Sequence, residues 1–144
     1  MRLGAGLFAF ALVGGCLQLG DAEVRAPDAR IVSEYAAVRS GAADRRSDTS
    51  YHFVRDGNAV KVTSTWPRVV DDEAYVFADD ALADNVNARL RADAAVAGLG
   101  LRMQVVNRVV YLHGRADDIA AARAIYDALS VPAVGAVYAQ LDRP

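Results

Sequence analysis

The sequence predicts an α+β protein: a small two-layer α-β-β-α-β domain with two helices on one face of a mixed sheet, preceded by a β-hairpin extension. Three observations predict it. Leu82, Val86 and Leu90 recur at helical spacing until Gly98 and Gly100. Residues 101–106 and 109–114 are two β-branched-rich runs joined tightly at Asn107-Arg108. Ile119, Ala122, Ile125 and Leu129 then form an apolar stripe behind Asp117 and Asp118, either of which can cap a helix, with Pro132 beyond its end and a last strand over 134–141. Two amphipathic helices on one face of a small sheet bury a single layer, and the helix between the second and third strands permits a right-handed parallel crossover.

The elements before this domain read as follows. Residues 3–13 are an apolar run of signal-peptide length, short of the ~18 residues a spanning helix needs. Arg2 and the amino terminus form a positive n-region, and Val13-Gly14-Gly15-Cys16 ends the run. The chain is expected to be exported. The ending resembles the processing site of bacterial lipoproteins, which implies a signal peptide over 1–15 and Cys16 as the first mature residue, carrying a diacylglyceryl group. At ~0.8 kcal/mol per buried CH2, several acyl chains hold a protein on a membrane. A small-x-small site at Gly20-Asp21-Ala22 is the alternative, and a cut there would release a soluble periplasmic protein. Leu17 stands where inner-membrane lipoproteins often carry Asp. By the same resemblance the destination is the outer membrane, facing the periplasm.

Residues 16–50 contain Pro27, a weakly amphipathic turn around Ile31, Tyr35 and Val38, and a polar run over 40–50, the composition of a lipidated tether with one short helix. Over 51–78 the pattern turns to period two. Asp56-Gly57 between β-branched runs signals a hairpin, with 74–77 as a further strand. Asp71, Asp72, Glu73, Asp79, Asp80 and Asp84 lack the alternating ligands and central glycine of an EF-hand loop. They read as a solvated loop leading into a helix whose positive end favours acidic residues.

Composition narrows the function. At 144 residues and 53% hydrophobic the chain holds one modest core. Cys16 is the sole cysteine, so no intramolecular disulfide forms. Losing Arg2 with the signal leaves one basic residue fewer than the 16 of the full chain against 18 acidic ones, a net charge of −3 that argues against nucleic acid as a partner. His52 and His113 stand alone, with no metal spacing, no G-x-S-x-G and no S-x-x-K, so neither an enzyme, a metal site nor a cofactor is expected.

Residues 79–142 resemble a BON domain. The resemblance rests on Leu82, Val86 and Leu90, on Val105-x-Asn107-x-Val109-Val110-x-Leu112-x-Gly114, on the Ala-rich second helix and on the closing Val134-x-x-Val137 strand. Gly114 is the expected structural turn after a buried strand. Arg108 and Ala133 stand where the family carries glycine, which places Arg108 under strain or changes the turn type. The Ile31 helix followed by the hairpin over 51–66 repeats the α-β-β order, the mark of a partial duplication without its second helix.

The resemblance implies a non-enzymatic envelope protein that binds phospholipid and supports outer-membrane integrity or osmotic stress tolerance. Arg89 and Arg91, with Val96 and Leu99 nearby and Leu101 beyond, are the expected lipid-binding residues: guanidinium forks for phosphate and apolar tips for the interface. Their other reading is solvated arginines above core aliphatics. The alternative function is a protein-interaction module of an envelope assembly, binding through its sheet face or edge by strand addition, with Tyr51, Phe53 and Trp66 as the motive.

Overall fold

Each of two hairpins is set by its loop, and one long crossover joins them into a single sheet. The computed structural model describes residues 29–47, 50–64 and 78–144. Cys16, the signal peptide, the start of the tether, Trp66, Asp71, Asp72, Glu73 and the strand expected at 74–77 lie outside the described residues.

The strands Tyr51–Asp56 (β2) and Ala59–Ser64 (β3) pair antiparallel with Asp56 opposite Ala59, so the two-residue loop is Gly57-Asn58, one position later than the Asp-Gly reading. Gly57 takes φ 61° and Asn58 does not share the positive sign, a type II′ rather than type I′ pattern. A three-residue strand, Arg45–Ser47 (β1), pairs with the outer side of β2. The second hairpin, Arg102–Val106 (β4) and Val109–Arg115 (β5), turns through Asn107 and Arg108 with φ 51° and 67°. The type I′ form is thus kept, and Arg108 carries the strain. Its neighbours hold it there. The Asp79 carboxylate accepts from the backbone N–H groups of Asn107 and Arg108 at 3.0 and 3.3 Å, and Arg108 Nε donates to the Ala133 carbonyl at 2.8 Å. Ala133 itself has φ 77°, so the two residues that replace glycine are bonded to each other.

The last strand, Ala136–Asp142 (β6), lies between the hairpins, parallel to β5 and antiparallel to β3, in the order β1-β2-β3-β6-β5-β4. The hairpin extension is therefore part of the sheet, and β3 covers the edge that β6 would otherwise expose.

Among the described residues four helices cover one face: Ala29–Arg39 (α1), Asp79–Ala92 (α2), Ala94–Ala97 (α3) and Asp118–Leu129 (α4). Their buried residues meet the row Phe53, Val62, Val137, Val110 and Val105 in one core. The first expected helix stops at Ala92, short of Gly98, because Asp93 leaves helical geometry (φ −93°, ψ 107°) and its side chain caps α3 through the Ala95 N–H. Asp117 caps α4. The expected α4 stripe is buried at Ala122, Ile125 and Leu129, joined by Ala121, Ala124 and Ala128, but Ile119, in the first turn, is 63% exposed.

Residues 29–47, read in the sequence as tether, are folded against the rest. Tyr35 and Val38 pack over Phe53, and α1 contacts α4 as well as β2. Arg39, at the end of α1, donates to the Ala116 and Leu141 carbonyls at 2.7 Å each and pairs with Asp118 at 3.1 Å. Arg55 in turn donates to the Val38 and Arg39 carbonyls at the C-terminus of α1. These bonds explain why the segment does not behave as its polar composition suggests. The α-β-β order of this half is interrupted by β1, which has no counterpart in the second half.

Candidate binding surface

All four helices lie on one face, so the other face of the six-stranded sheet has no layer over it among the described residues. Strand alternation fixes what it presents. One cross-strand row runs Arg45, Val54, Lys61, Tyr138, Tyr111 and Gln104. A neighbouring row brings Gln140, His113 and Arg102 side by side, and Arg115 stands opposite Asp142. At the centre the Tyr111 and Tyr138 rings lie 5.4 Å apart at 41°. The Tyr138 hydroxyl donates to Asp56, and that carboxylate raises the phenol's pKa.

The cations of this face are exposed. Among the described residues Arg45, Lys61, Arg102 and Arg115 form no ion pair, hydrogen bond or ring contact through their side chains. Two concavities meet at Arg102 and His113; one of about 280 Å³ is lined also by Gly114, Arg115, Gln140 and Asp142.

The residues expected to bind lipid are not brought into one patch. Val96 is 3% exposed and belongs to the core, so it cannot serve as an inserting tip; helix α3 exists because Asp93 caps it, and that turns Val96 inward. Leu99 and Leu101 are half-buried and pack against the core. Arg91 is exposed, but Arg89, two positions away and so on another face of α2, is half-buried and turned toward Asp127. Arg89 also lines a cavity of about 360 Å³ with Asn85, Ala88, Ala92, Ser130, Val131 and Pro132.

Beneath that helix lies a buried carboxyl pair. Asp93 is 2% and Asp127 1% exposed. Arg123 grips Asp93 with Nε and Nη2 at 3.0 and 2.7 Å. Burial would raise Asp93, but the hydrogen bonds from Arg123, Asp127 and Ala95 outweigh it and hold its pKa below the usual range. Burial, followed by the bond to Asp93 and that carboxylate's charge, pushes Asp127 up to about 8. At neutral pH Asp127 is therefore the protonated partner, donating to Asp93.

Gly114 lies inside β5, paired with Leu141, rather than in the turn that follows. Its φ is 148°, a conformation that needs glycine, and a Cβ there would also push the Leu101 side chain, whose Cδ2 lies 2.8 Å from that position, aside. Lys61, Tyr111, Tyr138, Arg102 and Arg115 are not among the site residues expected from the sequence. The period-two alternation of Tyr111, His113 and Arg115 was the available signal, but only the strand order brings Lys61 and Tyr138 beside them.

No curated protein and no solved structure matches the chain. Among the described residues no helix is long and apolar enough to cross a membrane. The sequence model of the BON domain matches residues 78–143, the span that begins at the residue before α2 and ends just after β6. Residues 78–143 thus match the BON domain family, here with the sheet extended by an N-terminal helix and three strands.

Proposed function

We propose that the protein is a non-enzymatic envelope lipoprotein, held by Cys16 to the periplasmic face of the outer membrane, whose open sheet face rests on anionic phospholipid or another anionic envelope surface and supports envelope integrity under osmotic stress. BON domains are non-enzymatic binding domains of envelope and periplasmic proteins, associated with phospholipid or envelope surfaces. The observation that carries the reading is the set of exposed cations without side-chain partners, Arg45, Lys61, Arg102 and Arg115, on one uncovered face around the Tyr111–Tyr138 pair. On a chain of net charge −2 this face concentrates positive charge, while Tyr side chains suit a membrane interface.

Vesicle flotation tests it, using residues 17–144 so that the lipidated cysteine does not bind for the domain. Flotation with anionic but not neutral liposomes is expected, lost at high salt and in Lys61→Gln/Arg102→Gln, and retained in Arg91→Gln. Loss in Arg91→Gln alone would return the site to α2.

A second reading has its own observation. Among the described residues nothing pairs with the outer edge of β4, and Val106 is 40% exposed at its end, which suits strand addition by an envelope protein. The aromatic motive of the first hairpin does not support it, since Phe53 is buried under α1.

A further inference from the structure

We infer that the concavity formed by Arg102, His113, Gln140, Arg115 and Asp142 is a binding site for a phosphate monoester. The inference deepens the reading of the open face by naming a ligand, but phosphate binding here does not require that the face touch a membrane.

The strand register builds the site. Arg102 on β4, His113 on β5 and Gln140 on β6 are direct cross-strand neighbours on the open side, and the next such pair along β5 and β6 is Arg115 with Asp142. Side chains directly opposite in a sheet stand ~5 Å apart at Cβ, so these groups converge on one hollow, with about 280 Å³ of space between them. Gly114 contributes to the wall without a side chain.

The chemistry of the lining selects the anion. Arg102 and Arg115 offer planar forks that match tetrahedral oxyanions, and neither is engaged by a protein carboxylate. The Gln140 amide adds a neutral donor and the His113 ring an N–H. Asp142 looks out of place in such a site, since it stands opposite Arg115 without pairing with it. Its carboxylate only accepts, so it repels a fully deprotonated oxyanion and welcomes one with a hydroxyl to donate. A phosphate monoester, with a second pKa near 6, retains that hydroxyl in part of its population at neutral pH. Sulfate and phosphodiesters have no such proton. The lining therefore favours a phosphate monoester over sulfate and over the diester of an ordinary phospholipid headgroup.

The test is a titration of residues 17–144, the chain that holds every described residue, followed by amide chemical shifts. Inorganic phosphate, sulfate and dimethyl phosphate are compared at constant ionic strength. Saturable shifts centred on Arg102, His113, Gly114 and Gln140 are expected with phosphate, with sulfate and dimethyl phosphate at least ~tenfold weaker. Arg102→Gln/Arg115→Gln, both exposed and therefore compatible with folding, abolishes them. Asp142→Asn keeps phosphate binding and removes the preference over sulfate. Equal response to all three anions, or shifts spread over Arg91 and Arg143 as well, overturns the site.

Two further arms assign the source. Displacement of bound phosphate by vesicles containing phosphatidic acid, whose headgroup is a monoester, points to lipid. Displacement by glycerol phosphate but not by the vesicles points to a soluble ligand. Failed flotation with saturable phosphate binding would remove the membrane reading and leave this site standing; successful flotation without it would do the reverse.

Discussion

On the helical side of the sheet, Arg39, Arg55, Arg123, Asp93 and Asp118 are each tied to partners; on the open side, Arg45, Lys61, Arg102 and Arg115 are tied to none. The two sets share a residue type and differ in surroundings. Under the helices a guanidinium loses water, so it stays only where carbonyls or carboxylates replace that water, and its bonds then belong to the fold. On the open face water still solvates each group, so a cation costs little there and its fork remains available to a ligand. Arginine content by itself therefore says nothing about binding; what a helix covers decides it.

Four predictions sharpen that contrast. The largest effect is expected from Arg123→Ala, which leaves the Asp93 carboxylate buried without its cation and Asp127 beside it. A loss of about 3–5 kcal/mol in denaturant unfolding is expected. A loss below about 1 kcal/mol would mean the pair is better solvated than its burial indicates.

Next is Arg39→Ala. Its bonds to the Ala116 and Leu141 carbonyls and its pair with Asp118 join α1 to the far end of the BON segment. About 2–3 kcal/mol should go, with amide exchange accelerating first in α1 and β1.

The third is a pH dependence. Asp127 has a folded pKa of about 8 against ~3.9 for an unfolded aspartate, so between those values the native state holds the extra proton. Its contribution is fully present below about pH 4 and is lost as pH rises through about 8, at up to about 1.4 kcal/mol per unit. Asp93, whose pKa is lowered, acts oppositely and loses its contribution as pH falls below about 4. Asp127→Asn should flatten the decline between about pH 4 and pH 8 and raise stability at pH 7 by about 1–3 kcal/mol. An unchanged slope in thermal melts from pH 5 to 8 would show that Asp127 ionises as readily as a surface carboxyl.

The smallest effect completes the comparison. Lys61→Gln and Arg102→Gln should each leave stability within about 0.5 kcal/mol while changing flotation, since no intramolecular bond is lost. A destabilisation of 2 kcal/mol would mean that the open face is not free.

Much of the BON segment was legible in the chain. Leu82, Val86 and Leu90 marked the first helix because their spacing is that of a turn, and the runs around Asn107-Arg108 marked the hairpin because β-branched residues alternate there. Asp93 was not read as a helix stop, because an aspartate breaks a helix only where its carboxylate finds partners, and Arg123 lies thirty residues away. Ile119 was misplaced for a related reason: helical spacing gives a stripe but not the rotation that tertiary packing selects. Residues 29–47 read as tether because their polar run hides that Tyr35 and Val38 have a hydrophobic surface waiting on β2. Of the lipid residues expected from the sequence, Arg91 alone is fully exposed, since burial of Val96 depends on the cap that Asp93 provides.

The sequence by itself determined the periodicities: which residues alternate in a strand, which share a helical stripe, where Asn-Arg turns the chain and, to within one residue, where the first hairpin turns, and hence an α+β fold with a BON-like second half. Those are local consequences of backbone geometry and side-chain spacing. The tertiary structure alone decided that β3 joins β6, that all four helices lie on one side, and that Arg102, His113, Gln140 and Arg115 converge while Arg89 and Arg91 do not. Strand order and the choice of covered face depend on contacts between distant segments, whose energies exist only once the chain has folded.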